Sequence, residues 1–443
     1  QQDCNNYRGI TLLSVPGKVL AHLLLARIRD HLLRTQRPEQ SGFTPKKSTI
    51  DRILALRVLV ERRLEYQHGL LAAYVDFKKA FDSVHRESLW DLLRLRGIPP
   101  GIIALLSGLY SDTVSAVKVG GGISSFFPVS SGVRQGCVLA PTLFNACMDW
   151  ILNRAVERSA CGASIGNFLV TDLDFADDAV LLAETLEVLA SALEALHEEA
   201  KPLGLSVSWT KTKVQDFGGL LGEDVQSIRA CGEDVDVVES FTYLGSVVHN
   251  DGSSDKEVSR RIALAYGIMD SLNSSAWRSR YLTRRTKIRL FKALVLPVLL
   301  YGSETWTLKR AMESRLDSFG TRCLRRIMGY TWLDRVSNDR ILRETDSRPI
   351  TSLIWERQLQ FYGHVARFPP ADPAFRVISE EINRDWRRPR GRPHRSWLKQ
   401  VDNHCWQFLR VGRTTAWRHA GRDPGRWSRM LTAAKRSHAY API

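Results

Sequence analysis

The chain has 443 residues, of which 44% are hydrophobic and 25% charged, and this length and composition suit a globular protein with more than one domain. Its 63 basic residues outnumber the 47 acidic ones, and the net charge of +16 favours an anionic partner, most simply nucleic acid. The seven cysteines include no C-x-x-C pair, which argues against a zinc knuckle and for reduced thiols in an intracellular setting. The apolar run 293–301 is too short to span a bilayer, so we expect no membrane partner.

The first predicted elements are two helices, at about 16–33 and 50–65, whose apolar residues recur at helical spacing. The loop between them carries Lys46 and Lys47, and Arg52 lies near the start of the second helix. Cations beside the backbone N–H groups of a helix start suit a phosphate group. An ordinary solvated loop is an equally good interpretation of this segment.

An apolar run, 70–75, predicts a buried strand that ends at Asp76. Two helices and a hairpin with a glycine-rich turn are predicted to follow, at about 86–96, 101–110 and 114–129. The loop 130–137 contains two glycines and precedes a long helix that ends near Arg158. Glycines in this position allow a ligand to approach the backbone closely, or serve simply as loop residues.

Two adjacent aspartates, Asp177 and Asp178, lie between apolar runs in the stretch Phe-Ala-Asp-Asp at 175–178. The pattern predicts strand, tight turn and strand, with the acids at the turn. A lone pair of aspartates is most often a polar hairpin tip, so metal chemistry needs support from elsewhere in the chain. Asp76, at the end of a separate strand, provides that support, because carboxylate oxygens are ligands that suit Mg²⁺.

The second half of the chain is predicted to be mostly helical. A helix at about 186–203 precedes a strand, 205–209, and a hairpin at 241–252. One apolar seam then predicts a helix from about Asp255; its members are Val258, Ile262, Ala265, Met269 and Leu272. Thr283 is a candidate N-cap of the next helix, which carries five basic residues.

A proline-rich segment, 368–373, predicts a linker, and the sequence beyond it is strongly basic. Residues 384–436 hold 15 basic residues against three acidic ones. Five tryptophans are interleaved with these arginines: Trp386, Trp397, Trp406, Trp417 and Trp427. Cations mixed with stacking rings favour nucleic-acid binding, and core positions for the tryptophans are the alternative. The run 387–395 also resembles a nuclear-localisation cluster.

The acidic residues suit one reaction in particular, the joining of nucleotides. That reaction is an in-line displacement at a phosphorus surrounded by negative charge, and two divalent ions promote it. A few carboxylates from separate strands suffice to hold such ions. Asp177 lies 101 residues after Asp76, and we expect the two to meet on neighbouring strands of one sheet.

Five motifs in this order resemble reverse transcriptases, most closely those of non-LTR (LINE-type) retrotransposons and more distantly group II intron maturases. They are Asp76-x4-Phe81-Asp82, the loop 132–136, the stretch 175–178, Gly204-Leu205 with Lys211-Thr212-Lys213, and the stretch 241–245. The stretches 6–10 and 40–43 resemble the extended fingers of that group, and 296–306 and 391–393 with Trp397 resemble its downstream segments. One departure is visible, since Trp209-Thr210 precede Lys211 where many relatives carry a small polar residue.

The resemblance implies an α+β fold, a right-hand polymerase with fingers, palm and thumb, an antiparallel palm sheet and a helical, basic C-terminal region. Fingers and palm are expected in 1–235, the primer-grip hairpin and helical thumb in 236–335, and the basic nucleic-acid-binding region in 336–443. Because the sequence starts without a methionine, we also expect a fragment of a longer protein whose endonuclease lies on an upstream segment.

The resemblance also implies a role for each matched position. The catalytic and metal-binding residues are Asp76, Asp177 and Asp178, with the carbonyl of Phe77 as a further metal ligand. The nucleotide-binding residues are Lys46, Lys47, Arg52, Phe81, Gln135, Gly136 and Lys211, and the Phe81 ring acts as a steric gate against a 2′-hydroxyl. The primer grip is Tyr243, Leu244 and Gly245. Nucleic acid is expected to bind Arg285, Arg289, Arg387, Arg388, Arg390 and Arg392.

The implied activity is RNA-directed DNA polymerisation with two Mg²⁺ ions, or Mn²⁺ in their place, during retrotransposition. The expected partners are an RNA template, a DNA primer or target and dNTPs, in a ribonucleoprotein found in nucleus and cytoplasm. A catalytically inactive or domesticated RNA-binding remnant is the alternative from another class. An RNA-dependent RNA polymerase shares the two-metal chemistry, but the bulky Phe81 disfavours it.

Overall fold

The computed structural model describes residues 9–119, 121–222, 224–391 and 394–437, and the chain divides into two compact units. The first unit is built from 1–52, 69–164 and 168–238, and the second from 53–68, 165–167 and 239–443. None of the helices in the described ranges combines the length and apolar character that a membrane span needs.

The first unit contains most of the strands. Its helices are Val15–Thr35 (α1), Thr49–Leu64 (α2, whose later turns belong to the second unit), Ala80–Ser83 (α3), Arg86–Leu95 (α4), Pro100–Tyr110 (α5), Ala140–Ser159 (α6) and Leu186–Ala200 (α7). Its strands are Leu70–Val75 (β1), Val114–Ser115 (β2), Lys118–Val119 (β3), Gly122–Ile123 (β4), Phe127–Pro128 (β5), Ala163–Ile165 (β6), Phe168–Val170 (β7), Asp172–Phe175 (β8), Asp178–Ala183 (β9), Lys213–Phe217 (β10), Ser227–Ala230 (β11) and Glu233–Asp236 (β12).

The central feature of this unit is a four-stranded antiparallel sheet in the order β10-β1-β9-β8. All six residues of β1 are buried, because this strand pairs on both sides and helices α6 and α7 help to cover the sheet. β8 and β9 form the predicted hairpin, with Phe175 opposite Asp178, and Val75 of β1 pairs with Ala179 of β9. The antiparallel palm sheet is therefore confirmed, and its register brings the end of β1 beside the Asp177–Asp178 turn.

The strand predicted at 205–209 is wrong. Only Val207 pairs there, in a single bridge with Phe77, and the strand that joins the sheet is β10. The N–H of Ser208 donates to the Asp76 carbonyl at 2.7 Å, and the N–H groups of Lys211 and Thr212 both turn back to the Ser208 carbonyl. This turn interrupts the ladder, so regular pairing resumes only at Lys213.

The second unit is mostly helical and carries one hairpin of its own. The hairpin strands are Ser240–Tyr243 (β13) and Ser246–His249 (β14). The helices are Asp255–Ser271 (α8), Arg284–Leu290 (α9), Leu296–Leu299 (α10), Arg310–Met328 (α11), Asn338–Glu344 (α12), Ile350–Val365 (α13), Pro373–Ser379 (α14), Trp397–His404 (α15), Arg413–Arg422 (α16) and Pro424–Ser437 (α17). Thr283 caps α9 as predicted, since its side chain accepts from the N–H of Thr286.

The apolar seam of α8 is buried at four of its five positions, and Leu272, which follows the helix, is partly buried. The seam packs into a core shared with helices α11 and α13, whose contributions include Phe319 and Ile354. The core of the second unit therefore forms around the face of α8 that the sequence predicts.

The proline-rich segment 368–373 does not link separate units, because the residues on both sides belong to the second unit. Phe368 and Asp372 are buried, and the Asp372 carboxylate caps α14 by accepting from the N–H of Ala374 at 2.8 Å. Prolines here end one helix and begin the next, as proline does at the first helical position.

The tail tryptophans mostly take the alternative, structural role. Trp397 is fully buried and its Nε1 donates to the Glu304 carbonyl at 2.7 Å, and Trp427 is also buried. Trp386 stacks on His68, and Trp417 packs against Tyr362 and Phe375. Of the five, Trp406 is the one with a largely exposed ring, at 57%.

Candidate active site

Asp76 directly follows β1, and its position is fixed by hydrogen bonds of its backbone. Its N–H donates to Thr212 Oγ1 at 3.3 Å, and its carbonyl accepts from Ser208. The carboxylate oxygen Oδ2 is buried without a hydrogen-bond partner, and the Nζ of Lys211 lies 3.6 Å from it. The strand end thus presents a carboxylate oxygen with an exposed lysine nearby.

Asp177 and Asp178 occupy the turn and the first position of β9. Partial burial and the negative charges of Asp177 and Asp76 raise the pKa of the Asp178 carboxyl to about 6. An electrostatic effect of this kind requires the three carboxylates to lie near one another. The structure therefore brings Asp76 near two acids that follow it by 101 and 102 residues along the chain.

A divalent cation fits the chemistry of these donors. Asp76 Oδ2 has no hydrogen-bond partner, and Asp178 feels the negative charges of Asp177 and Asp76 in addition to its desolvation. A positive charge close to these oxygens would offset that repulsion. Their present arrangement does not enclose an ion, since no cluster of three or more His, Cys, Asp or Glu side chains within the described ranges is placed to hold one.

Phe81, Gln135 and Gly136 come together next to Asp82. The Phe81 ring stacks on Phe144, with ring centroids 4.3 Å apart and 16° between the planes. The N–H of Val133 donates to the Phe81 carbonyl, and Gln135 Nε2 donates to Asp82 Oδ1 at 3.3 Å. The loop 132–136 is thereby attached to α3, in the same unit as the three acids.

Gly136 is a position that only glycine fits. Its φ is +101°, and a Cβ there would lie 2.7 Å from the carbonyl oxygen of Thr11. The N–H of Thr11 donates to the Gln135 carbonyl at 2.7 Å, so the residues before α1 lie directly on this loop.

The three predicted phosphate contacts near α2 occupy different environments. Lys46 is exposed and Lys47 half-buried, whereas the Arg52 side chain is fully buried. Arg52 Nε donates to Ser41 Oγ at 2.8 Å and its Nη2 donates to the Pro38 carbonyl at 2.6 Å. Arg52 thus braces the loop before α2, a structural function that its position in the sequence did not reveal.

The predicted primer-grip residues form the turn of the β13–β14 hairpin. Leu244 and Gly245 have φ values of +46° and +78°, the combination that a two-residue hairpin turn requires. The hydroxyl of Tyr301 donates to the Leu244 carbonyl at 2.8 Å, and Arg261 donates to the Gly245 carbonyl. The Tyr243 ring is buried, so the surface of this turn consists mainly of its backbone and Leu244.

The predicted nucleic-acid contacts of the second unit are mostly exposed. Arg285 and Arg289 share one face of α9, and neither has a carboxylate partner among the described residues. Arg387 and Arg390 are exposed, whereas Arg388 pairs with Glu65 at 3.1 Å and lies over the Tyr66 ring. Arg392 and the motif residues 6–8 lie outside the described residues.

An ionic network beneath the turn was not anticipated. Arg37 binds Asp172 at 2.8 Å, Asp174 at 3.0 Å and Asp149 at 3.3 Å, and Arg96 binds Asp149 at 2.7 Å. Burial opposes ionisation of Asp172, but Arg37 outweighs it and lowers the pKa, whereas burial and the charge of Asp172 raise the pKa of Asp174. Three buried acids thus face two arginines, and the acid whose ionisation is opposed is Asp174.

This network supports β8 from below. The sequence carries one sign of this network. Asp172 and Asp174 are two residues apart in a short strand, so both side chains lie on the same face of the sheet. Their partner Arg37 lies more than 130 residues away and has no mark in the sequence.

An antiparallel sheet with one acid at a strand end and two at the adjacent hairpin turn defines a polymerase palm. The model of the family described as "Reverse transcriptase (RNA-dependent DNA polymerase)" matches residues 1–248, more than half of the chain. The chain belongs to this reverse transcriptase family.

Curated relatives agree with the resemblance to non-LTR elements. The chain is 26% identical over 336 residues to the Retrovirus-related Pol polyprotein from type-1 retrotransposable element R2 of Popillia japonica, covering 72% of this chain and 45% of the relative. It is 23% identical over 346 residues to the RNA-directed DNA polymerase from mobile element jockey of Drosophila funebris, covering 75% and 37%. The chain is thus a non-LTR reverse transcriptase sequence that spans less than half the length of these two relatives.

Among solved structures, apo telomerase from Candida tropicalis is similar over 94% of this chain and 61% of that chain, at 13% identity. The TM-score is 0.38, too low to add weight to the fold.

Proposed function

We propose that this chain copies RNA into DNA by adding dNTPs to a primer 3′-hydroxyl, within a retrotransposon ribonucleoprotein that acts in nucleus and cytoplasm. The observation that carries the proposal is the register of the sheet, in which Asp76, directly after β1, lies beside the Asp177–Asp178 turn between β8 and β9. RNA template, DNA primer or target and dNTPs are the proposed partners.

The three acids are the proposed ligands of two Mg²⁺ ions, with the carbonyl of Phe77 as a further donor. When bound, such ions lower the pKa of an attacking hydroxyl and offset charge on the transferred phosphoryl group. Lys211 is the proposed contact of the triphosphate, and its exposed Nζ, 3.6 Å from Asp76 Oδ2, supports that role. The loop with Gln135 and Gly136 would contact the nucleotide and template, and Phe81 would limit the space at the sugar.

Assignment of the chain to polymerase subdomains also belongs to this proposal. Residues 1–235 would form fingers and palm, 236–335 the primer-grip hairpin and thumb, and 336–443 a basic region that binds nucleic acid. The exposed arginines of α9 and of 387–390 support the last two assignments by their charge.

Replacement of Asp177 by Asn tests the activity. We expect Asp177→Asn to abolish primer extension on an RNA template while RNA binding is retained, because the substitution removes one charged ligand and keeps the shape of the side chain. Asp234→Asn is the matched control, since Asp234 is an exposed acid of the same unit, in the β11–β12 hairpin. Extension should be unchanged in this control.

Three outcomes contradict the proposal. Full extension by Asp177→Asn would remove the metal-site assignment. A wild-type chain that binds RNA but extends no primer would instead identify the inactive remnant, and extension with rNTPs in preference to dNTPs would identify an RNA polymerase.

A further inference from the structure

The residue that precedes Asp177 has a backbone conformation that alanine rarely adopts. Ala176 has a φ of +60°, in the left-handed region where a Cβ crowds the backbone. Because Asp177 and Asp178 follow directly, this torsion sets the direction in which both carboxylates leave the turn. A strained torsion of this kind persists only where surrounding contacts hold it.

The side chain of Gln40 supplies those contacts. Its Oε1 accepts from the N–H of Ala176 at 3.0 Å and from the N–H of Gly42 at 2.8 Å, and its Nε2 lies 3.4 Å from the Ala176 carbonyl. Gln40 is 2% exposed, so these bonds are shielded from water. One buried amide therefore engages both backbone polar groups of the strained residue.

The segment around Gln40 lies against β8 like a short additional strand. Gln40 and Asp174 form a parallel bridge, in which the N–H of Ser41 donates to the Asp174 carbonyl and the N–H of Asp174 donates to the Glu39 carbonyl. Gly42 approaches the turn so closely that a Cβ there would lie 2.1 Å from the nitrogen of Ala176. Glycine at 42 is thus what allows the segment to reach the turn.

The segment is itself fixed at both ends. Arg37 joins it to Asp172 and Asp174 of β8, and Arg52 binds Ser41 and the Pro38 carbonyl. Asn145 of α6 donates to the Gly42 carbonyl at 2.5 Å. Gln40 therefore acts from a rigid support, and its amide has little freedom to leave the turn.

We propose that Gln40 is a positioning residue for catalysis, which holds Ala176 in the left-handed conformation and so aims the Asp177 and Asp178 carboxylates. This inference rests on the proposed polymerase function. Gln40 touches neither substrate nor reacting atoms, and its effect passes through the backbone of Ala176.

The test combines Gln40→Leu with Ala176→Gly in a double-mutant cycle. Gln40→Leu should lower kcat for single-nucleotide addition by roughly 10²-fold, the loss expected from a small misplacement of catalytic groups, with little change in RNA affinity. Ala176→Gly in the Gln40→Leu background should recover part of that loss, because glycine adopts positive φ without support.

Gln215→Leu is the matched control. Gln215 is a fully buried glutamine of β10 in the same sheet, which accepts from the hydroxyl of Tyr74 at 2.8 Å. Its replacement should lower thermal stability while kcat of the folded enzyme is kept, and Ala176→Gly should recover nothing in that background.

The outcomes separate this inference from the proposed function. If wild-type enzyme extends primers and Gln40→Leu keeps wild-type kcat, or if Ala176→Gly recovers no activity, the positioning function is overturned. If the wild-type chain extends nothing, the polymerase proposal fails. The same cycle measured by chemical denaturation then decides whether Gln40 holds the turn: a coupling between the two substitutions supports it, and strict additivity overturns it.

Discussion

Single residues at the end of β1 and at the β8–β9 turn determine the local charge and shape of the candidate active site. Desolvation and the charges of two nearby acids raise the pKa of Asp178, and Asp76 keeps an oxygen without a hydrogen-bond partner. Both features cost stability in isolation, and they are the features that a cation would relieve. Phe81 is supported differently, by the stacked ring of Phe144 behind it.

Phe81→Val should weaken discrimination between sugars. The smaller side chain opens space where a 2′-hydroxyl would otherwise meet the ring, so the ratio of rNTP to dNTP incorporation should rise about tenfold, which is about 1.4 kcal/mol in relative barrier. The measurement is steady-state addition of a single nucleotide with each substrate.

Phe217→Leu provides the comparison for this prediction. Phe217 is a fully buried ring of the same unit, paired with Leu70 at the end of β1 far from Asp76. It should lower stability but leave the sugar ratio as in the wild type. An unchanged ratio in Phe81→Val would remove the gate function.

Glu61, in the second unit, carries a titration that should be visible in stability. It is partly buried and accepts from Thr307 Oγ1 and from the N–H of Trp397, and desolvation raises its pKa to about 7. Because the folded pKa lies above the ordinary value of 4.5, the folded state binds the proton more tightly. This contribution to stability is complete below about pH 4.5 and is lost as the pH rises to about 7.

Glu61→Gln should therefore stabilise the protein above pH 7, by up to about 3 kcal/mol, and flatten the fall between pH 4.5 and 7. The neutral amide can donate to Thr307 and accept from Trp397, as the protonated acid can. Denaturant unfolding across this pH range measures the effect, and Glu381→Gln, an exposed glutamate of the same unit, should leave the profile unchanged. A variant profile that superimposes on the wild type would contradict the shift.

At the scale of elements, the spacing of apolar residues predicted most of the early helices and strand β1, but not the places where strand pairing is interrupted. Helices α1, α2, α4, α5 and α6 and the strand β1 lie where local apolar patterns and end signals predicted them, whereas the short α3 was not predicted. The strand expected at 205–209 failed because Ser208 pairs across to Asp76 and accepts from the two N–H groups that follow it. The sequence shows the five basic residues of the helix that Thr283 caps. The structure adds that two of them, Arg285 and Arg289, are exposed and have no carboxylate partner among the described residues.

Arg285 and Arg289 on α9 should contribute to the salt dependence of nucleic-acid binding. Replacing both by Gln should reduce the slope of log K against log salt for single-stranded RNA by about 1.4, since each phosphate contact contributes about 0.7. Binding measured at several salt concentrations gives the slope.

A second pair of substitutions controls for net charge. Arg326 and Arg340 already pair with Asp270 and Glu344, each at 2.7 Å. Arg326→Gln with Arg340→Gln removes the same two charges and should leave the slope nearly as it is. Equal effects of the two pairs would show that only the overall charge matters.

At the scale of the whole molecule, the chain forms two compact units rather than a series of segments in sequence order. The first unit holds the three acids, the loop with Gln135 and the Gln40 segment, and the second holds the primer-grip hairpin and the basic helices. Residues 53–68 belong to the second unit, whereas the start of the same helix, residues 49–52, belongs to the first. Helix α2 is therefore divided between the two units. The prolines of 368–373 predicted a linker, but the residues on both sides of this segment belong to the same unit.

The sequence by itself determined the family, the antiparallel palm sheet and the meeting of Asp76 with Asp177 and Asp178. Those conclusions depend on residue types in a fixed order and on local periodicity, which a single chain displays directly. Only the tertiary structure decided that Arg52 is a buried brace, that four of the five tail tryptophans pack against other parts of the fold and that Gln40 supports Ala176. Such contacts depend on which distant strands and loops come to lie together, and on the register in which they pair, so no local pattern carries them.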